Sequence, residues 1–158
     1  MGFSDNSKRS IGSRLEKAVA SFLGWDVVTG SGSRDFHPGD LVSENWMGEC
    51  KTHTSPSSSI VFYRSHWDKI CEEAYSHFKY PVLFCDNGTQ KAENTWCVCK
   101  RISVTCEEQT DCPIKIRKNL SILLEDMDRT KVYRFKFGQD ECVLCSLSTF
   151  SEIGESLG

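Results

Sequence analysis

Gly39-Asp40-Leu41-Val42-Ser43-Glu44-Asn45-Trp46-Met47-Gly48-Glu49-Cys50-Lys51 is the stretch from which both the fold and the chemistry of this chain are read. Apolar alternation predicts two strands, Asp40–Asn45 and Trp46–His53, turned into a hairpin near Glu44-Asn45. Successive strand side chains point to opposite faces, so Glu49 and Lys51 share one face and Cys50 takes the other, apolar one. The hairpin brings Asp40 beside them. Two converging carboxylates repel unless a cation lies between them, and a hard divalent ion such as Mg2+ takes oxygen ligands of this kind. A lysine beside them can orient or deprotonate a water, or offset charge growing on a phosphate. An E-x-K triplet on the wet face of a hairpin is also an ordinary surface pattern, so the weight falls on its surroundings.

Upstream, residues Ser10–Gly24 read as an amphipathic helix, with Ile11, Leu15, Val19, Phe22 and Leu23 as its buried stripe and Gly24 as its stop. Glu16 lies beside that stripe, placed to lean over a sheet edge. A short strand, Trp25–Thr29, then breaks at Gly30-Ser31-Gly32-Ser33-Arg34-Asp35, where glycines allow close backbone approach and hydroxyls and amides can hold a phosphate. Downstream, Thr54–Ser59 is a Ser/Pro-rich loop. Ser65–Tyr80 reads as a second helix that starts on a capping box of Ser65 and Asp68 and buries Trp67, Ile70, Cys71, Ala74 and Phe78, with Lys69 and His66 on its outer side. Val82–Cys85 is a buried strand. From Ser10 onward the order is helix, three strands, helix, strand, and the second helix is long enough for a parallel crossover.

The succession of Glu16, the Gly/Ser loop with Ser33 and Arg34, Pro38-Gly39-Asp40 and Gly48-Glu49-Cys50-Lys51 resembles the PD-(D/E)xK nuclease superfamily, and within it the Holliday-junction resolvases and phage-type endonucleases. The resemblance covers roughly the first half of the chain. It implies an α/β (α+β) fold with a restriction-endonuclease-like core, a mixed sheet of α-β-β-β-α-β order and a C-terminal strand-rich extension. It also implies an active site of Glu16, Asp40, Glu49 and Lys51, with Mg2+, or Mn2+ in its place, on Asp40, Glu49 and the Cys50 carbonyl, and with Glu16 as a further ligand. Ser33, Arg34, Arg14 and Lys17 become DNA contacts. The implied reaction is phosphodiester hydrolysis on DNA, branched DNA in the resolvase form, by a homodimer.

The 158 residues are read as one domain. The amino-terminal stretch is polar and charged, and no apolar run is long enough to span a bilayer, so the expected setting is intracellular, in cytoplasm or a DNA-containing compartment, and neither secreted nor membrane-bound. A net charge of −3 counts against a general attraction to nucleic acid. Basic residues are grouped, however, at Lys8, Arg9, Arg14 and Lys17 and again from Lys115 to Lys136, and only the field near a phosphate matters. Nine cysteines, an odd number, argue for reduced thiols over a disulfide framework.

In the second half, Thr95–Thr105 alternates as a strand with a break near Arg101. Cys106–Pro113 is loop-like, Ile114–Leu124 is open between strand and helix, Val132–Phe137 and Glu141–Leu144 form a hairpin, and Ser148 or Thr149 caps a short final helix. Among nucleases, the nearest rival to a resolvase is a restriction-like or nicking endonuclease on duplex DNA, and two other readings compete with a nuclease. One is a binding module on the same fold without catalysis. The other is a regulatory protein holding zinc on Cys97, Cys99, Cys106, Cys112, Cys142 and Cys145.

Overall fold

The computed structural model describes residues 14–28, 40–114 and 116–154. Its architecture is mixed α+β. The first helix, α1, covers residues 14–23, and Gly24 ends it at φ +74°, a left-handed conformation that glycine takes without strain. Then follow β1 (Asp26–Val27), β2 (Leu41–Val42), β3 (Trp46–Lys51), β4 (Ser59–Phe62), α2 (Arg64–Ser76) and β5 (Tyr80–Asp86). The remainder holds β6 (Thr95–Lys100), β7 (Thr110–Asp111), β8 (Leu120–Leu123), β9 (Tyr133–Phe137), β10 (Asp140–Ser146) and α3 (Leu147–Gly154).

Eight strands make one sheet in the order β1-β2-β3-β5-β6-β10-β9-β7, while β4 and β8 pair separately. Within the large sheet, β3 pairs parallel to β5, and β7 parallel to β9; the other neighbours are antiparallel. The strand period of two divides the core into two clusters. On one face Trp46, Val82, Phe84, Cys97 and Cys99 pack with Leu15 and Val19 of α1 and Phe150 of α3. On the other face Met47, Leu83, Cys85 and Val98 pack with Trp67, Ile70 and Ala74 of α2 and with Ile60, Phe62, Leu120 and Ile122 of the small sheet. Trp25, Trp46, Phe84 and Phe150 meet with ring centroids 5.0 to 6.3 Å apart, mostly edge to face.

Several expectations are corrected. The second helix runs Arg64–Ser76, not Ser65–Tyr80: its N-cap is Tyr63, no capping box forms, and Asn119 Oδ1 accepts from the Arg64 N–H at 3.0 Å. Phe78, assigned to the buried face, is 97% exposed at φ 58°, because the chain leaves the helix there to start β5. Phe22 is exposed on α1 rather than buried. Ser59–Phe62 is a strand emerging from the Ser/Pro-rich loop, and the open segment Ile114–Leu124 supplies its partner β8. The break at Arg101 is real, a single 3-10 turn over Arg101–Ser103. Ser146, ahead of both expected caps, accepts from the Thr149 N–H at the start of α3. The first two strands are shorter than read, and Thr29, the Gly/Ser loop, Ser33 and Arg34 lie outside the described residues.

Candidate functional site

The β2–β3 register pairs Leu41 with Gly48 and Val42 with Met47, which brings Asp40, just before β2, alongside the Gly48–Cys50 part of β3. Two backbone bonds and one side chain fix Asp40 there. Its N–H donates to the Gly48 carbonyl at 2.8 Å, its carbonyl accepts from Val28 N–H at 2.9 Å, and its Oδ2 accepts from the Cys50 N–H at 2.8 Å. The aspartate therefore takes its position from the neighbouring strand's backbone, with its carboxyl at the end of β3.

Glu49 is 3% exposed, rare for a glutamate, and its Oε2 is buried without a hydrogen bond. Lys69 on α2 stands with its Nζ 3.6 Å from that oxygen. Lys51, two residues along and partly buried, lies on the same side of β3, toward α2. Cys50 faces the opposite cluster with α1, as read from the strand period. Burial pushes its thiol well up, and Asp40, Glu16, Cys85 and Glu49 add to the rise, so Cys50 packs and does not act as a nucleophile.

Glu16 on α1 completes the acidic group. Its carboxyl is pushed up to about 7, first by partial burial and then by the charges of Asp40 and Glu49. Three carboxylates from α1, the start of β2 and β3 thus act on one another at one end of the sheet. Arg14 and Lys17 are exposed beside Glu16 on α1.

His66 and Lys69 were expected on the outer side of α2, and the structure turns both toward the site. His66 is half-buried with its ring 5.3 Å from Tyr63, and its Nδ1 is buried without a partner. Burial and then the neighbouring Lys51 lower its pKa, while Glu49 pulls the other way. Lys69 ion-pairs with Glu49 and, at 4.0 Å, with Glu73. The available signal was positional: residues 66, 69 and 73 form a polar stripe at helical spacing beside Trp67, Ile70 and Ala74.

The loop after Lys51 is tied to the turn after β5. Ser57 N–H donates to the Asn87 carbonyl at 2.8 Å, and Gly88, at φ +96°, lies so close to the Ser55 carbonyl that any Cβ would collide with it. An apolar pocket lined by Leu23, Trp25, Trp46 and Phe150 lies at the other end of β3, a strand's length from the carboxylates.

All nine cysteines are free. Among the described residues, no three His, Cys, Asp or Glu side chains form a group able to hold a metal by themselves. That leaves the zinc reading without a ligand set. It leaves open a site built from two carboxylates and a backbone carbonyl. The donor chemistry suits a hard divalent ion: all donors are oxygen, and one buried carboxylate oxygen has no hydrogen bond. No helix among the described residues is long and apolar enough to cross a membrane. No family model, characterised protein sequence or solved structure matches the chain.

Proposed function

We propose that the protein is a Mg2+-dependent DNA endonuclease on a restriction-endonuclease-like core, with DNA that is branched in the resolvase form of the reading as substrate and a homodimer as the working unit. The carrying observation is the convergence of Glu16, Asp40 and Glu49 beside Lys51, with Glu49 buried and short of hydrogen bonds. The element order supports it as well. A helix precedes three short antiparallel strands, and a crossover holding α2 returns to a strand parallel to β3; β4, inserted before α2, is an addition to the expected α-β-β-β-α-β order.

Asp40, Glu49 and the Cys50 carbonyl would hold Mg2+ or Mn2+; Glu16, expected as a further ligand, does not join Asp40 and Glu49 in a three-carboxylate group close enough to hold an ion together. The ion supplies Lewis-acid activation of a phosphate oxygen and a lowered pKa for bound water. This chain's own residues do the rest. Lys51 offsets negative charge on the phosphate and orients the attacking water. Glu16, with a carboxyl at about 7, can hold or release a proton near neutral pH. Arg14 and Lys17 provide exposed cations next to it for a DNA backbone.

The test is incubation with Mg2+ and labelled four-way junction, nicked, single-stranded and linear duplex DNA. Asp40→Asn is the control: asparagine Oδ1 can still accept from the Cys50 N–H, so the hairpin stays intact. Paired cuts confined to the junction and absent in the variant establish a resolvase. Cutting of every substrate by wild type alone means a general nuclease. No metal-dependent cutting removes the enzymatic reading in favour of a binding module.

A further inference from the structure

Lys69 is not among the catalytic residues above, yet it lies close to the least exposed of them. Its Nζ is 3.6 Å from Glu49 Oε2 and 4.0 Å from Glu73 Oε1, both beyond the reach of an N–H···O bond. The ammonium is therefore held by charge, without directional bonds. Exposure is lopsided: the Lys69 side chain is 52% exposed and that of Glu49 4%. A buried carboxylate needs a compensating charge, and Lys69 reaches in from solvent to supply it. Glu73, four residues on along α2, offers the same ammonium a second resting place.

We propose that Lys69 is an exchangeable counter-ion: it neutralises Glu49 in the metal-free protein, yields that carboxylate to an incoming divalent cation, and then offers its ammonium to a substrate phosphate. This rests on the nuclease reading above. An ammonium and a divalent ion on one carboxylate repel each other, so one must leave, and the lysine has the flexible stem and the solvent access to do so. Its departure returns a positive charge to the solvent side of the carboxylates at the step when a polyanion has to be held.

The experiment is calorimetric titration with Ca2+, which takes oxygen ligands without requiring turnover, at about 0.15 M salt to screen distant charges. Wild type, Lys69→Met, Lys69→Arg and Glu49→Gln are compared. Lys69→Met is expected to bind Ca2+ about threefold to fivefold tighter, the size of a half-exposed ion pair, and Lys69→Arg to match wild type. Fluorescence anisotropy with a short labelled duplex adds a second readout: Lys69→Met weakens DNA binding with Ca2+ present and leaves it unchanged in EDTA. Equal Ca2+ affinity in wild type and Lys69→Met, with Glu49→Gln impaired, overturns the exchange and leaves the metal site standing. Failure of wild type and Lys69→Met alike to bind Ca2+, or binding indifferent to Glu49→Gln, overturns the nuclease site and the exchange together.

Discussion

Replacing Glu16 by glutamine should stabilise the protein at alkaline pH and leave it unchanged in mild acid. The Glu16 carboxyl rises from 4.5 to about 7 on folding, through partial burial first and the charges of Asp40 and Glu49 second. With the folded pKa above the unfolded one, the folded state holds the extra proton between those values. Its contribution is thus fully present below about 4.5 and lost as pH climbs through 7. At about 1.4 kcal/mol for each tenfold in acidity, the full effect is about 3 kcal/mol. Glu16 is partly open to water, which screens its neighbours, so about 1 to 2 kcal/mol is expected. Glutamine keeps the shape and carries no charge at any pH. Urea unfolding in EDTA at pH 4 and pH 8 is the assay: Glu16→Gln and wild type should coincide at the lower pH, and the variant should gain about 1 to 2 kcal/mol at the higher. A gain equal at both pH values, or none at pH 8, would refute the convergence of the three carboxylates.

Gly48→Ala should destabilise by about 1 to 3 kcal/mol in the same assay, because a Cβ there collides with the Phe84 ring and crowds Val82 in a packed sheet face. Wild-type stability for that variant would mean that β3 and β5 sit further apart. Asp140→Ala should cost about 1 to 3 kcal/mol, since the fully buried Trp67 loses the acceptor of its Nε1–H at 2.9 Å, and Lys100 loses its partner at 3.1 Å. Thermal unfolding measures the loss. Thiol labelling of native protein at pH 8, mapped by mass spectrometry, should modify Cys106 first. Cys97, Cys99 and Cys145 should label only on unfolding, and Cys50 slowly despite its partial exposure, because burial lifts these thiols. Fast labelling of Cys50 would place its thiol in solvent, not packed against the α1 side.

The parts of the fold legible in the sequence were those whose contacts are local. The hairpin of β2 and β3 shows in thirteen consecutive residues, and that of β9 and β10 around Gly138, at φ +63°, in about as many. The pairing of β4 with β8 was not legible. Its residues, Ser59–Phe62 and Leu120–Leu123, are far apart in the chain, and one follows a Ser/Pro run that reads as loop. Phe78 continues the spacing of Ala74, so periodicity extends α2 too far. What ends the helix is tertiary: Lys79 donates to the Ser43 and Glu44 carbonyls and Tyr80 N–H to the Asn45 carbonyl, drawing the chain into β5. For the site, Glu16, Asp40, Glu49 and Lys51 stood out through their order along the chain. His66 and Lys69 did not, because a polar residue on a helix defaults to solvent until the sheet beneath that helix is known.

The carboxylates contribute little to holding one another in place. Asp40 is positioned by backbone bonds to Gly48 and Val28 and by its carboxylate on the Cys50 N–H, and Glu49 by a strand whose other face is clamped through Gly48 against Phe84. Glu16 is carried on a helix anchored by the fully buried Leu15 and Val19. The anchors of Glu16 and of the strand that carries Glu49 are backbone or apolar and need no charged acid, and only the Asp40 bond to the Cys50 N–H uses a carboxylate oxygen. Repulsion among the three acids works against the fold, which tolerates it because packing on both faces of the sheet supplies more. Removing a charge should therefore release strain while abolishing whatever the charges do together. Stability and function would then move in opposite directions, as expected of a binding or catalytic site and not of a structural ion-pair network, where removing one partner costs stability.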